Sequence, residues 1–196
     1  MENFIRVYDD VLEPSFCNDV IQRFEASDGK FRGQVHGERG RELNEKKKRT
    51  LELVISDQPE WSDVEHTLKQ KYVECVNQYA QEFPHVGGLP GQLISEAFRI
   101  KKYAVGDFFD WHMDCVGNGF FRILAIQFYF NDVASGGATE FQFQQAKVAS
   151  AQGRVVLFPT LWTYLHRGAS VQSNPKYVCT NYVRLALDET PNPNPP

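Results

Sequence analysis

The sequence predicts an α+β fold: N-terminal helices packed against one sheet of a double-stranded β-helix, or jelly roll. Three observations carry that prediction. Helical periodicity is confined to the segment before about residue 92. Beyond it come some eight short apolar runs separated by turn residues. Aromatic and β-branched side chains are abundant, with 15 Phe and 8 Tyr in 196 residues, and such side chains favour sheet. Helices followed by a run of strands give an α+β domain, and this number of short strands suits a jelly roll.

The elements follow in order. Residues 4–8 read as a short strand. Glu13-Pro14-Ser15 opens a helix through about Ser27, with Val20, Ile21 and Phe24 on one face. Residues 28–50 then change character. Gly29, Gly33, Gly37 and Gly40 are spaced by charges, and the stretch ends in Lys46-Lys47-Lys48-Arg49. Such a composition buries little, so a mobile, solvated loop is expected. Leu51–Ile55 reads as a strand. From Ser62 to Glu82, Val64, Leu68, Tyr72, Val73, Val76 and Tyr79 suit one face of a long helix, which Pro84, Gly87, Gly88 and Pro90-Gly91 end. Strands are expected at roughly 94–103, 109–113, 121–130, 138–144, 147–149, 154–158, 162–167 and 177–187. Turns come from Gly117-Asn-Gly119, Ser135-Gly-Gly137, Gln152-Gly153 and Ser173-Asn-Pro175. We expect one domain over 1–190 and a disordered proline-rich tail over 191–196.

A chain of this length can bury a real core, and 42% of it is hydrophobic. The net charge of −4 argues against a dedicated nucleic-acid binder. No apolar run reaches membrane-spanning length, and Met1-Glu-Asn-Phe lacks the basic start of a secretory signal, so no membrane partner and a cytoplasmic location are expected. Cys17, Cys75, Cys115 and Cys179 form no C-x-x-C pair and are expected to be reduced, mostly as small core residues.

The chemistry concentrates at His112-x-Asp114 and His166. Residues i and i+2 of a strand share a face, so His112 and Asp114 can grip one ion together, with His166 arriving from a distant strand. Two imidazoles and one carboxylate form a facial triad that leaves three positions of an octahedral Fe(II) open, which suits an oxygenase. Alone, His-x-Asp is a short pattern that arises by chance. Its context strengthens it, because both histidines close aromatic, strand-like runs, whereas His36, His66 and His85 lie in polar or loop-like surroundings. Cys115, beside Asp114, would be exposed to oxidation there.

The order Tyr103-x-x-Gly106, His112-x-Asp114, Tyr129-Phe-Asn131-Asp, Gly136-Gly137-x-Thr139-x-Phe141, Gly153-Arg-Val-Val-Leu-Phe158, His166 and Lys176 resembles the 2-oxoglutarate and Fe(II)-dependent dioxygenases, and most of all their prolyl 4-hydroxylase-like branch. The likeness runs from Tyr103 to Tyr182, with a looser echo over residues 7–21. It implies Fe(II) held by His112, Asp114 and His166. It implies 2-oxoglutarate and O2 as cosubstrates, succinate and CO2 as coproducts, and ascorbate as a candidate reductant. It places the basic partner of the distal 2-oxoglutarate carboxylate at Lys176. Thr180, on the same strand face, and Tyr103 are candidates to donate hydroxyls to that carboxylate.

Each of these has a plainer reading: a turn lysine after Pro175, a sheet threonine, a core tyrosine. Because halogenating relatives replace the carboxylate ligand with a small residue, Asp114 favours hydroxylation. Asn131, Gly136 and Gly137 read as turn-formers, and Arg122 as a solvated strand-end arginine rather than a substrate contact. The substrate class stays open between a small molecule and a peptide, prolyl or other. Residues 28–50 and 115–121 are the candidate cover of the site. Oligomeric state is not legible.

Two other functions fit part of the pattern. A non-catalytic jelly-roll metal protein or sensor would use the same ligands without needing Lys176, Tyr103 or Thr180. A nucleic-acid repair dioxygenase would use Lys46–Arg49 on phosphates, although Glu38, Glu42, Glu45 and Glu52 dilute that run.

Overall fold

The computed structural model describes residues 2–37, 40–89, 92–119 and 121–186; the expected tail at 191–196 lies outside them. Strand β1 (Arg6–Tyr8) leads into helix α1 (Pro14–Ala26). Pro14 stands in the first turn, where its missing N–H removes no helical bond, and Cys17, Val20 and Phe24 form the buried face. Short strands β2 (Phe31–Arg32), β3 (Val35–Gly37) and β4 (Gly40–Glu42) precede β5 (Leu51–Val54). Helix α2 (Ser62–Glu82) carries Asp63 and Glu65 in its first turn, where they complement the helix dipole. It buries Val64, Leu68, Tyr72, Cys75 and Tyr79 at spacings of three and four.

The remaining strands are β6 (Gln92–Ser95), β7 (Arg99–Tyr103), β8 (Phe109–His112), β9 (Arg122–Tyr129), β10 (Thr139–Phe141), β11 (Ala146–Val148), β12 (Val155–Pro159), β13 (His166–Gly168) and β14 (Lys176–Ala186). The larger sheet runs β1-β12-β9-β14-β7-β5-β2, with β6 also on β14, and the smaller runs β11-β10-β13-β8. β3 and β4 form a separate hairpin. Every pairing is antiparallel.

Alternation along the strands divides the core in two. One face of the larger sheet supplies Leu53, Ile100, Leu124, Ile126, Phe128 and Cys179 to the cluster beneath α1 and α2, which Phe98 joins from just before β7. The opposite face supplies Tyr103, Ala125, Tyr129, Val156, Phe158 and Val178 to a cluster shared with Phe141 of the smaller sheet. Burying about a Leu or Phe side chain from water contributes roughly 1.5–3 kcal/mol, so these two layers fix the register of the strands between them. The predicted jelly roll with helices on one sheet is the observed architecture.

The sequence expectations miss in a few places. Residues 94–103 hold two strands, because the chain leaves the sheet where Phe98 N–H bonds Ser56 Oγ. Residues 138–144 stop pairing at Phe141 and turn through Gln145, which has a positive φ of 51°. Residues 162–164 form a 3-10 turn, so β13 begins at His166. The segment 28–50 is less irregular than its composition predicts. It holds the β3–β4 hairpin, and its end is drawn inside, with Lys48 and Thr50 buried. There Lys48 pairs with the fully buried Glu52 at 2.6 Å, so the basic run is not uniformly solvated. Among the described residues, no helix is long and apolar enough to cross a membrane.

Candidate active site

The jelly-roll register places the two singled-out histidines directly opposite one another. His166 at the start of β13 is the Cα partner of His112 at the end of β8, and their ring centroids are 4.2 Å apart. Asp114 arrives from the bend after β8 rather than from the strand itself. Its Oδ1 lies 3.7 Å from His112 Nε2, and its Oδ2 lies 3.4 Å from His166 Nε2. Ligand-type atoms of the three side chains all fall within 4.8 Å of one another. His36, His66 and His85 are exposed, as expected.

Each imidazole is held from behind by a backbone carbonyl. His112 Nδ1 meets Asp110 O at 2.8 Å, and His166 Nδ1 meets Tyr164 O at 2.9 Å. A carbonyl only accepts, so Nδ1 carries a proton in both rings and Nε2 of each ring faces Asp114. Phe109 stacks on His112 at 3.5 Å, and the edge-on ring of Phe158 lies 4.7 Å from His166. Burial, and then the proximity of His166, holds the His112 pKa well below the ordinary value, so this imidazole is neutral and able to donate its lone pair. Burial opposes ionisation of Asp114, but His166, His112, Lys101 and Arg122 outweigh it and lower its pKa. The donor set is therefore two imidazoles, each with Nε2 turned inward, and a carboxylate on one side of a cavity, which fits an octahedral Fe(II).

Lys176 lies at another part of the same cavity. Only 2% of it is exposed, so it is not a surface turn lysine. Its Nζ donates to Gly137 O at 2.6 Å and sits 5.4 and 5.2 Å from the ring centroids of Tyr103 and Tyr129. Gly136 and Gly137 have φ of 72° and 67°, and a Cβ on Gly136 would strike Ser170 O, so they form the turn that brings this carbonyl to the lysine. Burial foremost, and then Lys101, pulls the Lys176 pKa down to about 7. Tyr103 is buried and lines the cavity. The Thr180 hydroxyl is buried and has no hydrogen-bond partner among the described residues. Thr180 shares the strand face of Lys176 but is not among the residues that line the cavity, so the fit to an anionic cosubstrate such as 2-oxoglutarate rests on the buried ammonium of Lys176.

Several site groups escaped the sequence reading. Tyr182 Oη donates to Asp114 Oδ1 at 3.0 Å. Gln127 and Thr139 line the cavity, and Tyr129 Oη reaches Thr139 Oγ1 at 2.7 Å and Gln127 Oε1 at 3.2 Å. Lys101 lines it too. Alternation held the signal: Lys101 precedes Tyr103 by two, Gln127 precedes Tyr129 by two, and Tyr182 follows Thr180 by two. Arg122 is a correction. It is no solvated strand-end residue: it pairs with both Glu96 oxygens at 2.8 and 2.6 Å, donates to Asp114 O at 3.2 Å, and lies 3.7 Å from the Tyr182 ring centroid. Of the cysteines, Cys115 is partly exposed, while Cys17, Cys75 and Cys179 are buried and free.

Residues 98–184 match the family model of the 2OG-Fe(II) oxygenase superfamily. No curated protein matches the chain. Among solved structures, the fold is similar to a prolyl hydroxylase from Trichoplax adhaerens in complex with a hypoxia inducible factor oxygen degradation domain peptide fragment. That likeness has a TM-score of 0.74 at 15% identity and covers 93% of this chain and 84% of that one. The viral collagen prolyl hydroxylase of Paramecium Bursaria Chlorella virus-1, as its 2OG complex, gives a TM-score of 0.67 at 17% identity over 94% of this chain and 97% of that one. A Pseudomonas putida prolyl-4-hydroxylase gives 0.65 at 14% identity, covering 94% of each.

Proposed function

We propose that this chain, whose residues 98–184 match the 2OG-Fe(II) oxygenase superfamily model, is an Fe(II)- and 2-oxoglutarate-dependent enzyme that hydroxylates an unactivated C–H bond of an amino acid or a peptidyl residue. The observation that carries this reading is the shared cavity: His112, Asp114 and His166 together in one part of it and the buried Lys176 in another.

In this reading His112 Nε2, His166 Nε2 and an Asp114 oxygen hold the metal. Lys176 pairs with the distal carboxylate of 2-oxoglutarate, with Tyr103, its register partner on β7, supplying a hydroxyl. Bound Fe(II), with 2-oxoglutarate and O2, supplies the oxidising power for C–H hydroxylation and releases succinate and CO2. The protein's part is placement and dryness. The carbonyls of Asp110 and Tyr164 fix the imidazole tautomers, and Tyr182 and Arg122 hold Asp114 from its side chain and its backbone. Phe109, Phe158 and Val178 wall the cavity or its ligands with carbon, which keeps water from the reacting groups. A buried ammonium offsets the desolvation of a carboxylate that an apolar wall would reject.

The β3–β4 hairpin and the 115–119 segment meet, since a Cβ on Gly117 would run into the His36 ring. That contact supports reading the two segments as one cover over the site. The reading predicts slower amide exchange over 35–37 and 40–42 when substrate binds, and unchanged exchange there would sink it.

The function is tested by Fe(II)- and 2-oxoglutarate-dependent succinate release, stimulated by a panel of amino acids and proline-containing peptides. No succinate under any of these conditions would contradict it. The nucleic-acid reading loses its footing at Lys48, which is buried on Glu52 rather than free for phosphates.

A further inference from the structure

We infer that Lys101 is a specificity-determining residue that recognises a carboxylate on the substrate; this rests on the oxygenase function proposed above. Lys101 lies on β7 two residues before Tyr103, so strand alternation turns both side chains to the site face. It is only 7% exposed and lines the same cavity as the triad and Lys176. Among the described residues its ammonium has no hydrogen-bond or ion-pair partner, although two carboxylates are near enough to influence it.

Both of those carboxylates are engaged elsewhere. Glu52 is the register partner of Lys101, yet its Oε1 takes Lys48 at 2.6 Å and the Thr50 hydroxyl at 2.8 Å, and its Oε2 takes Arg99 at 3.3 Å. Asp114 accepts from Tyr182 and faces His166 and His112. Lys101 is thus a buried cation without an anion of its own, an arrangement that desolvation disfavours. Burial foremost, and then Lys48, lowers its pKa to about 8, so it stays largely protonated near neutrality.

Charge balance then indicates the partner. A divalent metal on Asp114 and a dianionic cosubstrate on Lys176 leave one positive charge over in the cavity. Lys48 is matched by Glu52, and the Arg99 side chain, 30% exposed, reaches solvent. The leftover charge is that of Lys101. A singly charged carboxylate on the substrate neutralises it, whereas an amide in the same place leaves it unpaired. Two sources share this chemistry: the α-carboxylate of a free amino acid, and the side chain of an aspartyl or glutamyl residue within a peptide.

The test is anaerobic calorimetry on the Fe(II)-loaded, 2-oxoglutarate-saturated protein. One arm titrates the twenty L-amino acids and their α-carboxamides. The other titrates N-acetylated, C-terminally amidated Asp and Glu against Asn and Gln capped in the same way. In one arm an acid should bind on the order of tenfold or more tighter than its neutral counterpart, and that arm identifies the source. Lys101→Met should abolish the preference without weakening 2-oxoglutarate binding, since its loss relieves the repulsion on Lys176, and Lys101→Arg should retain part of the preference. The inference is overturned if no acid outbinds its neutral counterpart in the wild type, a comparison that needs no variant to fold. It is equally overturned if Lys101→Met keeps the preference, or if it loses 2-oxoglutarate affinity instead. Failure of the wild type to bind 2-oxoglutarate at all would sink the oxygenase reading; intact 2-oxoglutarate binding with no acid preference sinks only the Lys101 assignment.

Discussion

Tyr182 Oη donates a hydrogen bond to Asp114 Oδ1 at 3.0 Å, tying the last strand of the fold to the bend that carries the carboxylate. Asp114 sits outside the regular part of β8, so nothing in the strand itself fixes its rotamer. Burial pushes the Tyr182 phenol well above its ordinary pKa, and the phenol therefore remains a donor at any working pH.

Tyr182→Phe removes that donor and keeps the ring beneath Arg122. We predict metal affinity lower by about 10–100-fold with the fold intact, because groups that orient a metal ligand typically contribute on that scale. Calorimetry with Mn(II) as an Fe(II) surrogate, beside circular dichroism, checks it. An unchanged metal affinity would make Tyr182 a packing residue.

Lys176→Ala is expected to spare metal binding and weaken 2-oxoglutarate. Losing a charge-assisted pair in a desolvated pocket costs roughly 2–5 kcal/mol, about 30-fold in affinity or more. Equal 2-oxoglutarate affinity in the variant would move the anchor elsewhere.

The same lysine predicts a pH dependence. In the free protein its pKa is held down to about 7, chiefly by burial. A carboxylate beside it raises that pKa, so binding above about pH 7 takes up a proton and 2-oxoglutarate affinity falls as pH rises, by up to about tenfold per pH unit. Calorimetry in buffers of different ionisation enthalpy reads the proton directly. Affinity independent of pH, with no proton uptake, would contradict this.

Glu52 is fully buried, and its pKa is nevertheless lowered to about 2: burial opposes ionisation, and Lys48, Lys101 and Arg99 outweigh it. Its folded pKa lies below the ordinary value, so its contribution is present above about pH 4.5 and is lost as pH falls from there toward 2. We predict that Glu52→Ala destabilises by roughly 3–5 kcal/mol at neutral pH, while Glu52→Leu with Lys48→Met recovers much of that loss. Urea unfolding measures both, and a single variant as stable as the wild type would show that the pair is dispensable.

What the sequence made legible follows from the range of each signal. The helices were readable because Val64, Leu68, Tyr72 and Tyr79 repeat within one element. The metal set was readable because His112 and Asp114 are two residues apart and His166 closes a similar apolar run. Tyr182, Arg122 and Lys101 were not, because their roles depend on how β7, β9 and β14 pair, and pairing is decided across roughly fifty to eighty residues of chain. Composition misled at 28–50: glycines and charges describe the middle of that segment, whereas its end is shaped by Glu52, which draws Lys48 inside. Arg122 misled in the same manner, since only the folded chain brings Glu96 to it.

The central claim is that His112, Asp114 and His166 hold Fe(II) so that 2-oxoglutarate can chelate it. An anaerobic titration of Fe(II) into the protein with 2-oxoglutarate, followed by the charge-transfer absorption of the Fe(II)–2-oxoglutarate chelate, tests it most directly. The account predicts a band that saturates at a single equivalent of Fe(II) in the wild type and is absent in His112→Ala and His166→Ala, with both variants folded by circular dichroism. Asp114→Asn should leave at most a weak band. No band in the wild type, or a full band in either histidine variant, would contradict it.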